Sequence, residues 1–251
     1  MKSCKHCTTE NKKNKAFSDK NSKTVCRSAE KERPGAVRSA VEKHDRVWYN
    51  RIVQTKRRGM VTDMVTERAI SYINTLFKGN SGGHDAAHTL RVYRIAMQIA
   101  ENESACDKEI VALAALLHDA DDRKLFHTEH NENARAFLKE NHIAEDRIEK
   151  ICDAINSVSF SQNRARIPDS IEGRIVQDAD RLDAIGATGV ARTFAYGGQH
   201  GRALSESVQH FHDKLLLLKD LMHTETAKTL AERRHAFLES FLKELDSEWK
   251  P

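Results

Sequence analysis

The sequence predicts an all-α protein. Three observations lead there. The chain has only three prolines in 251 residues, and its aromatic content is 6%. It is rich in Ala, Leu, Glu, Lys and Arg, the strong helix formers. No stretch of useful length alternates apolar and polar residues as a strand would. With apolar residues at 39%, the core must be assembled largely from Leu, Ile, Val and Ala.

From Met1 to about Pro34 the chain is Lys-, Asn-, Ser- and Glu-rich and nearly devoid of large apolar side chains, a composition of disorder. Cys4-Lys5-His6-Cys7 is half of a zinc pattern, but a structural zinc takes two such pairs. Only Cys26 and His44 lie near enough to add to it, so no metal site is expected there. In residues 36–53, Val37, Val41, Trp48 and Ile52 share one side of a helical projection, which predicts a short amphipathic helix. Lys56-Arg57-Arg58-Gly59 reads as a linker. The expected organisation is therefore a basic extension over 1–59 and a single helical domain over 60–246.

That domain opens with a helix carrying Val65, Ile70, Ile73, Leu76 and Phe77, closed by the turn Gly79-Asn80-Ser81-Gly82-Gly83. Asp85 is a good N-cap for a second helix with Leu90, Val92, Ile95, Ile99 and Ala100 on its apolar side. The third is the apolar run Ile110–Leu117. Helices around 130–140 and 145–157 follow. After the turn Ile167-Pro168-Asp169-Ser170 comes a helix through Ile171, Ile175, Ala179 and Leu182. Two long helices near 204–223 and 225–246 complete the chain.

The net charge of +4 hides a division. Residues 1–60 hold 17 Lys/Arg against 6 Asp/Glu, and the remainder 24 against 31. The main domain is acidic, and only the extension has a charge suited to nucleic acid or anionic lipid. Cys4, Cys7, Cys26, Cys106 and Cys152 are odd in number and irregular in spacing, unlike a disulfide framework. The longest apolar run is far below a membrane span, and the N-terminus lacks the apolar core of a secretory signal. A cytoplasmic protein is expected. The sequence leaves its oligomeric state open.

The chemistry starts at His118-Asp119, directly after eight apolar residues. An imidazole and a carboxylate at the edge of a core are costly unless paired or coordinated. His88 and Asp180 lie in two other polar segments, His84–His88 and Gln177–Asp183. Together the four supply two imidazoles and two carboxylates from three helices. Such a set suits Mn²⁺, Fe²⁺, Co²⁺ or Ni²⁺ better than the all-oxygen shells of Mg²⁺ and Ca²⁺; ligand type alone leaves Zn²⁺ open. No thiolate lies in these motifs. The chain has no Gly-x-x-x-x-Gly-Lys loop and no dinucleotide-binding glycine fingerprint, so a bound nucleotide would rely on metal and basic side chains.

His88 with Arg91-Val92, then His118-Asp119, then Asp180-Arg181-Leu182, resembles the H…HD…D signature of the HD-domain superfamily of metal-dependent phosphohydrolases. Leu116–Asp122, Ile175–Ala187, Ala191–Gly198 and Leu218–Met222 are similar to a small bacterial subgroup that includes nucleoside triphosphate pyrophosphohydrolases. The resemblance covers roughly 60–246 and excludes the first sixty residues. It implies an HD-type helical bundle holding one divalent metal, Mn²⁺ first and Ni²⁺, Co²⁺, Fe²⁺, Mg²⁺ or Zn²⁺ as alternatives, through His88, His118, Asp119 and Asp180.

His84 competes with His88 as first ligand; its place at the glycine turn suits it to orienting substrate. Asp122 resembles the acidic position that other HD hydrolases use in proton transfer. Asp183 stands one helical turn beyond Asp180, where it could orient a ligand or the attacking water. His127, His130 and His142 are the only histidines between the central pair and Asp180, which favours one metal over two. Arg181, Lys214 and Lys219 are the expected cationic partners of a phosphorylated substrate, with Arg123 and Lys124 behind them. The implied reaction is hydrolysis of a (deoxy)nucleoside triphosphate to monophosphate and pyrophosphate. A nucleotide phosphomonoesterase or phosphodiesterase, and a non-catalytic nucleotide or metal sensor, are the alternatives.

Overall fold

A computed structural model describes residues 64–80, 85–158 and 167–249, and all of its regular structure there is helical. The amphipathic helix expected at 36–53, the Cys4–Cys7 motif and His84 lie outside the described residues. The order is α1 (Met64–Leu76), α2 (Ala86–Ala100), α3 (Lys108–Leu117), α4 (Glu132–Glu140), α5 (Glu145–Asn156), α6 (Ile171–Asp183), α7 (Gly186–Gln199), α8 (Leu204–Asp213), a 3₁₀ helix (Leu215–Leu221) and α9 (Glu225–Trp249).

α3 is the centre because it is apolar on every side. Ile110 to Leu117 are each no more than 4% exposed, and α1, α2, α5 and α6 pack around them. Its start is fixed by Asp107, whose carboxylate accepts the Glu109 and Ile110 N–H groups at 3.0 and 3.3 Å. Arg147 holds that cap from α5, with Nη1 at 3.0 Å from Asp107. α4 is capped from a distance: Asn131, at φ 59°, makes no side-chain cap bond. Asp121 instead accepts the Asn133 and Ala134 N–H groups at 2.9 and 3.1 Å.

α6 is the second element that positions the site, and it buries polar groups with its apolar ones. Asp178 is fully buried and accepts the backbone N–H groups of His223 at 2.9 Å and Thr224 at 2.8 Å. The Thr224 hydroxyl donates to it at 2.9 Å, and accepts from the Ala227 N–H at 3.3 Å. One carboxylate thereby docks the start of α9 onto α6. Asp178→Ala would strand these buried donors, at a cost of about 3 kcal/mol. Thermal melts of variant and wild type should show that loss; an unchanged midpoint would contradict it.

Two elements depart from the sequence expectation. The helix expected over 204–223 breaks at Lys214 (φ −137°, ψ −58°), and the run Leu215–Leu221 continues as 3₁₀ helix. A three-residue turn stacks Leu215 and Leu218, 3% and 1% exposed, on one buried face. Between α6 and α8 no helix is expected from periodicity, yet α7 forms there. Its glycines weaken helix propensity but serve packing. A Cβ at Gly189 would fall 2.2 Å from the Ala184 carbonyl oxygen, and one at Gly197 would fall 2.4 Å from Ser207 Oγ.

Candidate metal centre

Three helices deliver four donors. Asp85 caps α2 by accepting the His88 N–H at 2.7 Å, which fixes His88 in the first turn. Its ring is only 2% exposed. His118 is the C-cap of α3 and Asp119 follows at 7% exposed, so the end of the apolar helix carries the pair to the edge of the core. Asp180 lies in the last turn of α6.

His88 Nε2 stands 3.3 Å from His118 Nε2, 3.5 Å from Asp119 Oδ2 and 3.4 Å from Asp180 Oδ1. His118 Nε2 is 3.4 Å from Asp119 Oδ2. The donor atoms of His88, His118 and Asp119 all lie within 4.8 Å of one another, and Asp180 joins through His88. Ligands about 2.1 Å from a common ion, spread at near-tetrahedral angles, are separated by about 3.4 Å. The residues fit a divalent ion.

The far side of each ring sets the tautomer. His118 Nδ1–H donates to the Ala115 carbonyl at 2.8 Å and His88 Nδ1–H to Asp183 Oδ2 at 2.8 Å. Both Nε2 lone pairs then face the same point. Burial disfavours a charged His88, but hydrogen bonds to Asp180 and Asp183 and the charge of Asp119 outweigh it and raise its pKa to about 9.

Asp183 is 1% exposed and held by more than His88. Arg91 donates through Nε to Oδ1 at 2.7 Å and through Nη2 to Oδ2 at 3.1 Å; Arg192 Nη1 donates to Oδ2 at 2.5 Å. Burial pushes the Asp183 carboxyl up, but the hydrogen bonds and charges of His88 and Arg91 hold it well below the usual carboxylate range. It stands behind His88, bonded to the ring nitrogen that faces away from the other donors.

The other expected residues divide. Asp122 N–H bonds the Asp119 carbonyl at 3.1 Å, so the two share a turn, and Asp122 Oδ1 accepts the Lys124 N–H at 2.8 Å. Lys214 is held below its ordinary pKa first by burial, while the charge of Asp180 raises it and those of Lys124 and Arg192 lower it. It therefore belongs to the surroundings of the donors.

Arg181, expected as a cationic partner of substrate, is directed toward the start of α9. It is 3% exposed, its Nη1 donates to the Leu221 carbonyl, and the same nitrogen is 3.2 Å from His223 Nε2. One residue after Asp180 on a helix, a side chain points about 100° away, here toward the start of α9. Lys219 lies 4.0 Å from Asp220 on the 3₁₀ helix. Sequence reasoning missed Arg192 as a holder of Asp183, and noted Arg91 only as motif context. The available signals were the three-residue step from His88 to Arg91 and the need of a buried Asp183 for cations.

Comparison with known proteins returns the HD domain over residues 85–185. Over 190 residues the chain is 40% identical to the uncharacterised protein YpgQ of Bacillus subtilis, spanning 72% of this chain and 92% of that one. The crystal structure of B. subtilis YpgQ in complex with ADP superposes with a TM-score of 0.63 at 36% identity, over 73% of this chain and 97% of that one. An HD-superfamily hydrolase from Bacillus thuringiensis superposes with a TM-score of 0.61 at 38% identity, over 73% and 96%.

Proposed function

The chain belongs to the HD-domain family of metal-dependent phosphohydrolases, and on that premise we propose that it hydrolyses (deoxy)nucleoside triphosphates to monophosphate and pyrophosphate. The observation that carries the reading is the set of donor atoms at 3.3–3.5 Å from His88 Nε2, with Arg192 3.1 Å from His88 Nδ1 and Lys214 close enough to feel the charge of Asp180. ADP in the YpgQ crystal structure supports a nucleotide as ligand. His88, His118, Asp119 and Asp180 would hold the ion, with Mn²⁺ the first choice.

A bound divalent ion supplies Lewis acidity toward a phosphoryl oxygen and toward the attacking water. The side chains do the rest. Asp183, clamped by Arg91 and Arg192, keeps the His88 ring in one orientation. Asp122, at the rim, takes the proton of the water that attacks the α-phosphorus. Lys214 and Arg192 neutralise charge on the phosphates, and the α–β bridging oxygen leaves with the pyrophosphate. Residues 60–246 carry this activity. The basic 1–59 extension is a separate region, and nucleic acid would contact the protein only there. No described helix is long and apolar enough to cross a membrane, and we place the reaction in the cytoplasm.

The test is a nucleotide panel on stripped protein reloaded with Mn²⁺, Ni²⁺, Co²⁺ or Mg²⁺, reading phosphate and pyrophosphate separately. Pyrophosphate release from triphosphates is the expected result. Phosphate release alone would show a phosphomonoesterase; binding without turnover under every metal would show a sensor.

A further inference from the structure

α7 and α8 run antiparallel, drawn together where Gly197 meets Ser207. From that crossing the register runs back toward the donors. Phe194 and Phe211 pack on one side with ring centroids 5.8 Å apart. On another face of α7 stand Arg192 and Tyr196, four residues and so about one turn apart. His210 and Lys214 are separated by the same step along α8 and its cap.

Two levels result. The inner one holds Arg192, bonded to Asp183, and Lys214, which feels the charges of Asp180, Lys124 and Arg192. The outer one, a turn or about 5.4 Å further, holds His210, a hydrogen-bonding imidazole that burial first, and then the charges of Lys214 and Arg202, hold below its ordinary pKa, with Asp213 acting in the opposite sense. Arg202 lies over the Tyr196 ring, 5.0 Å from its centroid, and Tyr196 is stacked on His200 at 3.8 Å. The Arg202 backbone is tied to α7 by its N–H to the Gly197 carbonyl at 2.9 Å. Tyr196 thus forms a shelf for an exposed guanidinium. Two nearby carboxylates are engaged locally: Glu206 accepts the Ala203 N–H at 2.8 Å, and Asp213 accepts from Gln209 at 2.7 Å.

Two cations, Lys214 and Arg202, with the imidazole of His210 between them, lead away from the metal donors, and a flat guanidinium held by an aromatic ring ends the strip. We propose that Lys214, His210 and Arg202 form a binding strip for the outer phosphates of a nucleoside triphosphate, with Arg202 selecting triphosphates over shorter nucleotides. The proposal rests on the nucleotide-hydrolase reading and deepens it. A linear polyanion carries charge on every unit, so those beyond the donor cluster need cations of their own. Arg offers a planar fork for two phosphate oxygens. Outer phosphates on this strip leave the α-phosphate at the donors, which makes pyrophosphate the departing group.

The experiment titrates inorganic tripolyphosphate, pyrophosphate and phosphate into Mn²⁺-loaded full-length wild type, Arg202→Gln and His210→Gln by calorimetry. The kcat/KM values for nucleoside tri-, di- and monophosphate are measured in parallel. Arg202→Gln should weaken tripolyphosphate about tenfold, the scale of one charge-assisted hydrogen bond, while phosphate binds as to wild type. Its preference for triphosphate over diphosphate should fall to match. Arg202 is exposed, and an unchanged melting midpoint would show that the variant folds. Equal weakening of all three anions, no weakening, or a wild type that binds none would overturn the strip. Nucleotide turnover with no effect of Arg202→Gln would sink the strip alone. The expected anion discrimination without turnover would sink the hydrolase reading alone.

Discussion

Asp119→Ala is expected to abolish nucleotide hydrolysis, lowering turnover on the order of a thousandfold or more, with loss of the bound ion. The size follows from what Asp119 touches. Its Oδ2 is within reach of both imidazoles, 3.5 Å from His88 Nε2 and 3.4 Å from His118 Nε2. Removing it leaves two imidazoles and Asp180, and halves the carboxylate charge available to a divalent cation. The side chain is 7% exposed, so water can replace it only in part. Metal content by elemental analysis should drop with activity, while the helical circular dichroism stays as in wild type. A variant that keeps both its metal and its turnover would remove Asp119 from the site. Unfolding would be read directly from the dichroism, and Asp119→Asn, which keeps the shape, would then carry the comparison.

Much of the scaffold was legible because it follows from periodicity and end signals. The cap at Asp85, the apolar α3 and the turn before α6 are local features, written in adjacent residues. The cluster of His88, His118, Asp119 and Asp180 was legible for a different reason. A polar pair ending an eight-residue apolar run has few uses other than binding a charge. What local sequence did not reveal depends on distant contacts. α7 exists despite its glycines because Ala184 and Ser207 require close approach there. The 3₁₀ turn after Lys214 follows from burying Leu215 and Leu218 together. Arg181 and Arg192 are placed as no spacing suggests: Arg181, next to Asp180 in sequence, turns to Leu221, while Arg192 comes from another helix to Asp183. That placement is set by how α6, α7 and α9 pack.

Asp183 offers the second large effect, and its substitutions separate charge from shape. The carboxylate receives His88 Nδ1, Arg91 and Arg192 at one buried point. Asp183→Ala leaves two guanidinium groups facing each other with no anion between them, which should cost about 3–5 kcal/mol of stability. It also frees the His88 ring, so metal affinity should fall about 10–100-fold. Asp183→Asn keeps the volume and one acceptor oxygen but removes the charge. Its loss of stability should be smaller, while its metal affinity should still drop because the amide makes His88 a weaker donor. The pH dependence discriminates further. Because the folded state depresses the Asp183 carboxyl, its contribution is present above the ordinary carboxylate range and is lost as pH falls below it. Melts of chelated protein should therefore steepen in acid for wild type and flatten for Asp183→Asn. A variant that binds metal like wild type and melts along the same pH curve would show that Asp183 supports neither the ring nor the fold.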